Sequence, residues 1–452
     1  MRTTSFVTNL VVGCNLPLSL SEHPSFRQFI HDVDPKFVLP SRRHISYNLI
    51  PAMWERKKTA IYDIMNTTRS VSLTVDIWTD RVMHSYLALT AHTFLKYTPQ
   101  SYLLKFAAFD GSHTGVRIAE AMTAAIEEFG LDEKVTFIVS DNASNMKKAF
   151  DVMNAVRTMQ EPSEECDNDQ SEDSQFVFDD EELWQDLQTV DLAPVTEVIE
   201  HQCVTRLSCF AHTSELVVRD GVTKLPTATG VLAKVSKTAN VVHQSAKFRA
   251  AFEEKFGSNC KSIPSTNATR WSSLHSQLKA VAQLDQTKLA DVLREQSLHN
   301  LVLTQREHAS LLELVEILDP FAEATDLCQG QSYTTIGCVV PCIVSLYKHL
   351  VHQEVHCKFH RPMVMALLES LRKRFSGLLS QLRIQIAAIS TKKDGFAEDL
   401  YLIAPALDPS YSFIWLEEDH PGDDTTKTAL KDYITGMYWT RDLHDTTVSV
   451  QI

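Results

Sequence analysis

Two aspartates have the residue type and setting for metal-ion chemistry. Asp76 sits in the alternating run VSLTVDIW (Val71–Trp78), and Asp141 closes the run KVTFIVSDNASN. The first run reads as a buried strand holding one carboxylate, a costly arrangement unless something holds the charge. If the two strands are neighbours, both carboxylates face one cleft. Acidic oxygens several ångströms apart make a site for Mg²⁺ or Mn²⁺. Two such ions can activate a water or a 3′ hydroxyl and stabilise the leaving oxygen in phosphoryl transfer. A complete site of that kind usually has a third acid, which periodicity does not identify. The same residues also have a plainer reading. Asp76 would cap a turn or pair with a base, and Asp141 with Asn142 would form an Asx turn that starts the next helix.

The elements that must position these residues are legible as a mixed sheet. In the first strand Leu73, Val75 and Ile77 face one way, and Thr74, Asp76 and Trp78 the other. A turn around Thr79–Ser85 leads to YLALTAHTF and then YLLKFAAFD, each a strand. Thr114–Phe129 reads as a helix stopped by Gly130, Val135–Val139 as a fourth strand, and Ala143–Met159 as a helix. This order predicts an α/β sheet, antiparallel at one edge, with a parallel strand added by crossover. QCVTRLSCF reads as a further strand and AHTSELVVRDG as the helix after it.

The flanking regions differ in character. Residues 1–65 read as a helical region broken by prolines, with Phe26, Phe29 and Ile30 on one face of a short helix and a kink at Pro51. Its Arg42, Arg43, Arg56, Lys57 and Lys58 read as a solvated face, with phosphate contact as the alternative. Residues 161–200 hold fifteen Asp or Glu and no Lys or Arg, so 160–200 reads as a disordered acidic loop within a core of 66–225. From 226 to 452 the pattern is mainly helical, with segments at Val231–Phe256, Arg270–Leu284, Thr304–Ala324, Tyr333–Val355 and Met363–Ser376.

Composition sets outer bounds. The 452 residues carry a net charge of -14, which argues against a basic coat over the whole surface but leaves room for a local basic groove. Nine cysteines in no dense framework suggest reduced thiols. The start MRTTSFVTNLVVGC lacks the apolar core and cleavage site of a signal peptide, and Ile336–Tyr347 is about half a membrane span. The expectation is a soluble protein of the cytosol or nucleus without a membrane partner. Cys209 with His212 alone is too small for a structural zinc site, and His201 and Cys203 add no recognised spacing.

Six blocks resemble the hAT-superfamily transposases. They are SLTVDIWTD (72–80), IVSDNASNMKKA (138–149), RLSCFAHTSELVV (206–218), NATRWSSLHSQL (267–278), ILDPFAEATDLCQGQSYTTIGCVVP (317–341) and IAPALDPSYSF (403–413). The nearest group is the vertebrate BED-type zinc-finger proteins derived from such transposases. The resemblance implies an α/β, RNase H-like mixed sheet interrupted by a large all-α insertion domain. It gives Asp76 and Asp141 the places of the first and second catalytic acids and metal ligands. Trp271 takes the place of a tryptophan that stacks on a flipped base. Arg270 would lie by the DNA backbone, and His212 would assist in handling DNA. The family's third acid, a glutamate in a Ser-Glu-Arg-Phe-Ser-like block, has no counterpart here, and neither has the BED finger. Glu323 belongs to an insertion helix and does not fill the gap. The resulting expectation is a catalytically inactive, transposase-derived nuclear protein that binds DNA or serves as a regulatory scaffold for protein partners. It requires no cofactor, binds Mg²⁺ or Mn²⁺ weakly, and has doubtful homo-oligomerisation. An active metal-dependent transposase and an inert remnant are the alternatives. The sheet is expected to lack one covering helix and to expose the apolar face beneath it.

Overall fold

A computed structural model describes residues 2–80, 82–158, 204–225, 230–257, 260, 262–264, 271–330, 333–384 and 396–444. Residues 159–203, which include the expected acidic loop, lie outside the described residues, as do Arg270, His201 and Cys203.

Residues 1–71 and 124–134 form one compact unit. It contains helices α1 (Arg2–Gly13), α2 (Pro24–Val33), α3 (Arg42–His44) and α4 (Ile50–Thr67). Val7, Val11 and Ile45 make its small core, with Leu18, Phe37, Leu39, Leu49 and Ile50 packed around them. A π-helical turn at Ile45–Leu49 precedes the proline at which a kink is expected. Pro51 itself falls in the first turn of α4, where a missing N–H costs nothing. The apolar face read on α2 is not buried, and Phe29 is 58% exposed. Lys134 Nζ closes the C-terminal end of α4 by donating to the Met65 and Asn66 carbonyls at 2.8 and 3.0 Å.

The second unit comprises residues 72–123 and 135–452. The strands are β1 (Val71–Thr79), β2 (Ser85–Leu95), β3 (Thr98–Ala108), β4 (Val135–Ser140) and β5 (Thr205–Ser208), in the order β3-β2-β1-β4-β5. The β1–β2 and β2–β3 pairs are antiparallel, and β4–β5 is parallel. This is the mixed sheet that the alternation predicts. Asp80 builds the β1–β2 turn, accepting from the Val82 and His84 N–H groups at 2.9 Å each. On one face of β1 and β2, Val71, Leu73, Val75, Leu87, Leu89 and Ala91 are buried. Asp76 belongs to the opposite face and is exposed, so the burial cost expected for its charge does not arise. Helices α5 (Gly115–Glu128), α6 (Ser144–Thr158) and α7 (Phe210–Val222) follow β3, β4 and β5 respectively.

A helical array completes the chain. Its members are α8 (Val231–Gln244), α9 (Ala246–Phe256), α10 (Trp271–Ala282), α11 (Gln286–Glu295), α12 (Gln305–Cys328), α13 (Ile336–His356), α14 (Arg361–Arg374), α15 (Ser376–Gln381), α16 (Leu400–Leu407), α17 (Ile414–Glu418) and α18 (Asp424–His444). The single helix expected over Val231–Phe256 is two, because Ser245 leaves helical geometry and caps α9 through the Phe248 N–H at 3.2 Å. A reciprocal box between Thr304 and Glu307 opens α12. One apolar core runs from Leu207 and Phe210 through Phe321, Ile343 and Leu367 to Leu430 and Ile434, with Phe137 and Val139 of β4 packed against it. The α7 and α14 helices meet closely at Gly221, where an added Cβ would stand 2.5 Å from Cγ and Cδ2 of Leu367. Tyr401 of α16 donates to the Ser208 carbonyl at 3.1 Å, tying this array to the end of β5. Among the described residues, no helix is long and apolar enough to cross a membrane.

Candidate functional site

The site is built where β1, β4 and β5 lie side by side. Asp76 is the sixth residue of β1, opposite Ala88 of β2. Asp141 is the first residue past β4. Cys209 is the first past β5, and its N–H donates to the Ser140 carbonyl at 2.8 Å. The three converge electrostatically. The Cys209 thiol is pushed up by burial, and the charges of Asp76 and Asp141 add to the rise. The Ala211 and His212 N–H groups at the start of α7 oppose it. Asp76, Asp141 and Cys209 thus lie on or just past the neighbouring strands β1, β4 and β5, with His212 half-buried one turn further along α7.

Asp141 is committed to local structure. Its Oδ1 accepts the Ala143 N–H at 3.2 Å, an Asx turn before α6. The plainer reading of this aspartate is therefore present in the fold. Arg206 of β5 fastens the turn from the side. Its Nε donates to Ser140 Oγ at 2.8 Å, and its terminal nitrogen donates to Asn142 Oδ1 at 2.7 Å and to the Asp141 carbonyl. Ser208 Oγ also donates to Asn142 Oδ1 at 2.8 Å, and Asn142 Nδ2 donates to Thr213 Oγ1 at 3.0 Å. Burial lowers the Arg206 guanidinium pKa, and the Asp141 charge partly restores it. The result is a closed polar network linking the ends of β4 and β5 to α7.

Asp76 has different surroundings. Two residues on, Trp78 lies on the same face, 5.9 Å from the Tyr86 ring and 5.7 Å from the Phe106 ring. Tyr86 and Phe106 stack at 5.6 Å. Trp78 is 38% exposed and Phe106 57%. The carboxylate therefore stands next to an accessible aromatic platform that spans β1, β2 and β3.

Trp271 opens α10 and lies half-buried on the helical core, its ring 6.0 Å from His275. Glu323 is on α12. Arg206 and the Trp78 platform have no part in the sequence reading, and Asn142 enters it only as half of an Asx turn. A lone arginine in a four-residue strand, and an aromatic two places beyond Asp76, were the available signals. For Mg²⁺ or Mn²⁺, the Asp76 and Asp141 carboxylates offer suitable oxygen donors. The fixed Arg206 guanidinium beside Asp141 competes with a cation there.

Residues 74–166, which contain both aspartates, match the family model for the ZBED1 RNase-like domain. Over 368 residues the chain is 23% identical to a Zea mays protein named as an AC transposase, covering 79% of this chain and 40% of that protein. It is 22% identical over 144 residues to the zinc finger BED domain-containing protein RICESLEEPER 1 of Oryza sativa subsp. japonica, covering 31% and 20% respectively. It is 21% identical over 130 residues to the zinc finger BED domain-containing protein DAYSLEEPER of Arabidopsis thaliana, covering 28% and 19%. The chain thus spans at most about two fifths of the length of these three relatives. These matches support a hAT transposase-derived, BED-like chain, and its mixed sheet fits an RNase H-like core.

Proposed function

We propose that this chain binds DNA without cutting or joining it, as a transposase-derived nuclear protein with a regulatory or scaffolding role. The observation that carries the reading is Arg206. Its guanidinium is fastened to Ser140, Asp141 and Asn142, beside the second of the two acids. Two-ion phosphoryl transfer needs the charge of divalent cations at such an acid. Here a fixed side-chain cation supplies positive charge, and one Asp141 oxygen is already held by the Asx turn. Asp76 and Asp141 therefore bind Mg²⁺ or Mn²⁺ weakly, as an inherited pair. Trp78 and Phe106 offer ring faces on which bases can stack. The family likeness adds Trp271, Arg270 and His212 as DNA contacts.

The test has two arms. Oligonucleotide cleavage and strand transfer in Mn²⁺ should give no product above background. Product that disappears in Asp76→Ala would overturn the negative half of the proposal. A mobility-shift titration should show binding that weakens as salt rises, because phosphate contacts release counterions. Trp271→Ala and Trp78→Ala should each weaken binding about tenfold, in line with the loss of one stacked base. Absence of binding at low salt would sink the DNA half and favour a protein partner or an inert remnant. The active-transposase reading keeps one observation in its favour: the two carboxylates flank a junction between neighbouring strands of an RNase-like domain.

A further inference from the structure

Three cysteines meet far from the acid pair in the sequence. Cys328 is the last residue of α12, while Cys338 and Cys342 are four apart on α13, one turn above the other on a single face. Their sulfurs all lie within 4.8 Å of one another. Cys328 and Cys338 are 3.2 Å apart, Sγ to Sγ. Cys338 and Cys342 are buried and Cys328 is half-buried. Among the described residues this is the one grouping of three His, Cys, Asp or Glu donors at such spacing.

The surroundings hold the cluster in place. Tyr333 reaches back to the end of α12. Gly330 lies against the Tyr333 ring, where an added Cβ would stand 2.2 Å from Cζ, and the Tyr333 hydroxyl donates to the Leu327 carbonyl at 2.7 Å. Cys338 Sγ donates to the Thr335 carbonyl at 2.8 Å. Asp408, just past α16, brings its carboxylate against Gly337, the neighbour of Cys338. A Cβ on Gly337 would stand 2.9 Å from Asp408 Oδ2. Tyr411 faces the same group, its hydroxyl pushed up to about 12 by burial and by the charges of Cys338, Cys342 and Asp408. Three sulfurs this close together are ready donors for a thiophilic cation.

We propose that Cys328, Cys338 and Cys342 bind one Zn²⁺ ion, with the Asp408 carboxylate as the nearby fourth donor. Zinc takes thiolate and carboxylate ligands in tetrahedral sites, with Zn–S near 2.3 Å. That length sets neighbouring sulfurs about 3.8 Å apart, so the three sulfurs need shifts of about an ångström or less, while the Asp408 carboxylate, outside their 4.8 Å grouping, must move further to bind. Two ligands from one helical turn and a third from the preceding helix end would clamp the α12–α13 corner to the segment after α16. Each bound thiol releases a proton, so affinity rises with pH until the thiols are deprotonated. The proposal does not depend on the DNA reading of the sheet.

The test uses the full chain, purified with a non-thiol reductant and stripped of metal. One equivalent of Co²⁺ should produce thiolate-to-cobalt charge-transfer absorption in the near ultraviolet and tetrahedral bands in the visible, and Zn²⁺ should displace it. Cys328→Ser, Cys338→Ser and Cys342→Ser should each weaken Zn²⁺ binding about a hundredfold or more, while Cys14→Ser, with its exposed thiol, should leave it unchanged. Asp408→Asn should weaken it about tenfold. A second measurement covers variants that fold poorly. In the wild-type chain, Zn²⁺ should protect Cys328 from alkylation, read by peptide mass spectrometry. No cobalt signal, uptake of Cu⁺ but not Zn²⁺, uptake unaffected by the three serine variants, or a Cys328–Cys338 disulfide in the reduced preparation would each overturn the assignment.

Discussion

Acids are held in two ways in this molecule. In the helical array Glu313 is wrapped by donors. It accepts the Lys358, Phe359 and His360 N–H groups at 2.7–3.0 Å and the Cys357 thiol at 3.0 Å. Asp319 there accepts His275 Nε2 at 2.6 Å and Lys279 Nζ at 2.8 Å. In the sheet, Asp76 is exposed beside aromatic rings, and Asp141 shares one turn with a guanidinium. A carboxylate with its oxygens fully engaged is a structural element. One at an exposed strand face is accessible to a ligand. The contrast separates acids wrapped by donors from an acid on an exposed strand face, and Asp141 falls between them, with one carboxylate oxygen held by the Asx turn and its main-chain carbonyl held by Arg206.

Removing Arg206 should break that division most severely. Arg206→Met keeps much of the side-chain volume but removes three donated hydrogen bonds, leaving Asn142 Oδ1 with Ser208 and the Asp141 carbonyl with Ser140. Losing these charge-assisted bonds should cost about 3 kcal/mol, measured by urea denaturation. If the cost is under about 1 kcal/mol, the network is not what fixes the β4–β5 ends. The same variant sharpens the metal question. With the guanidinium gone, Mn²⁺ should stabilise the protein more than it stabilises the wild type.

Next in size is a contact that ties the array to the helix bearing His212. Gly221→Ala would ordinarily favour a helix by about 1 kcal/mol. Here the new methyl meets Cγ and Cδ2 of Leu367, which is itself fully buried. Overpacking should outweigh propensity, for a net loss of about 1–2 kcal/mol. Leu367→Ala combined with it should recover part of that loss, a coupling that a double-mutant cycle measures.

Glu313 gives the comparison a pH axis. Burial raises its carboxyl, but the thiol and the three N–H donors outweigh burial and hold it below its ordinary value of 4.5. A depressed folded pKa contributes stability above the unfolded value, and that stability is lost as pH falls through the folded one. Wild-type stability should therefore decline as pH falls from about 5 into the acid range. Glu313→Gln should cost about 1–2 kcal/mol at pH 7, and its decline over that window should be correspondingly shallower. Parallel slopes would show that Glu313 is not a contributor.

How much of this was readable beforehand follows from the physics of each signal. Strands β1 to β4 announce themselves because one buried face forces a period of two. The β2–β3 turn places Lys96 and Tyr97 at φ +48° and +65°, a local detail that alternation does not encode. Asp76 and Asp141 are legible as a pair only on the condition that their strands are neighbours, which the strand order meets. Arg206 is not, since its meaning depends on β4 lying alongside. The thiol cluster had one visible half, Cys338 and Cys342 at helical spacing. Its other half, Cys328, comes from the end of α12, a contact that periodicity does not describe. Periodicity marks which face is apolar and leaves open what covers it. Phe137 and Val139 are covered by the helical core, while Trp78 and Phe106 remain accessible.

The smallest expected effect bears on Asp76 itself. If its carboxylate and that of Asp141 both act on the Cys209 thiol, they also act on each other. Through water-like dielectric at several ångströms this repulsion is about 0.5 kcal/mol. Asp76→Asn keeps the shape and removes the charge, so it should stabilise the metal-free protein by about that amount. In the presence of Mg²⁺ or Mn²⁺ the sign should reverse, because the wild-type pair gains a bridging cation that the variant has lost. The Arg206 guanidinium limits that gain, so the crossover should come only at millimolar metal. A variant less stable than wild type without metal would mean that the bonding of the Asp76 carboxylate outweighs its repulsion from Asp141. It would then belong with Glu313 and Asp319 among the acids that hold the fold.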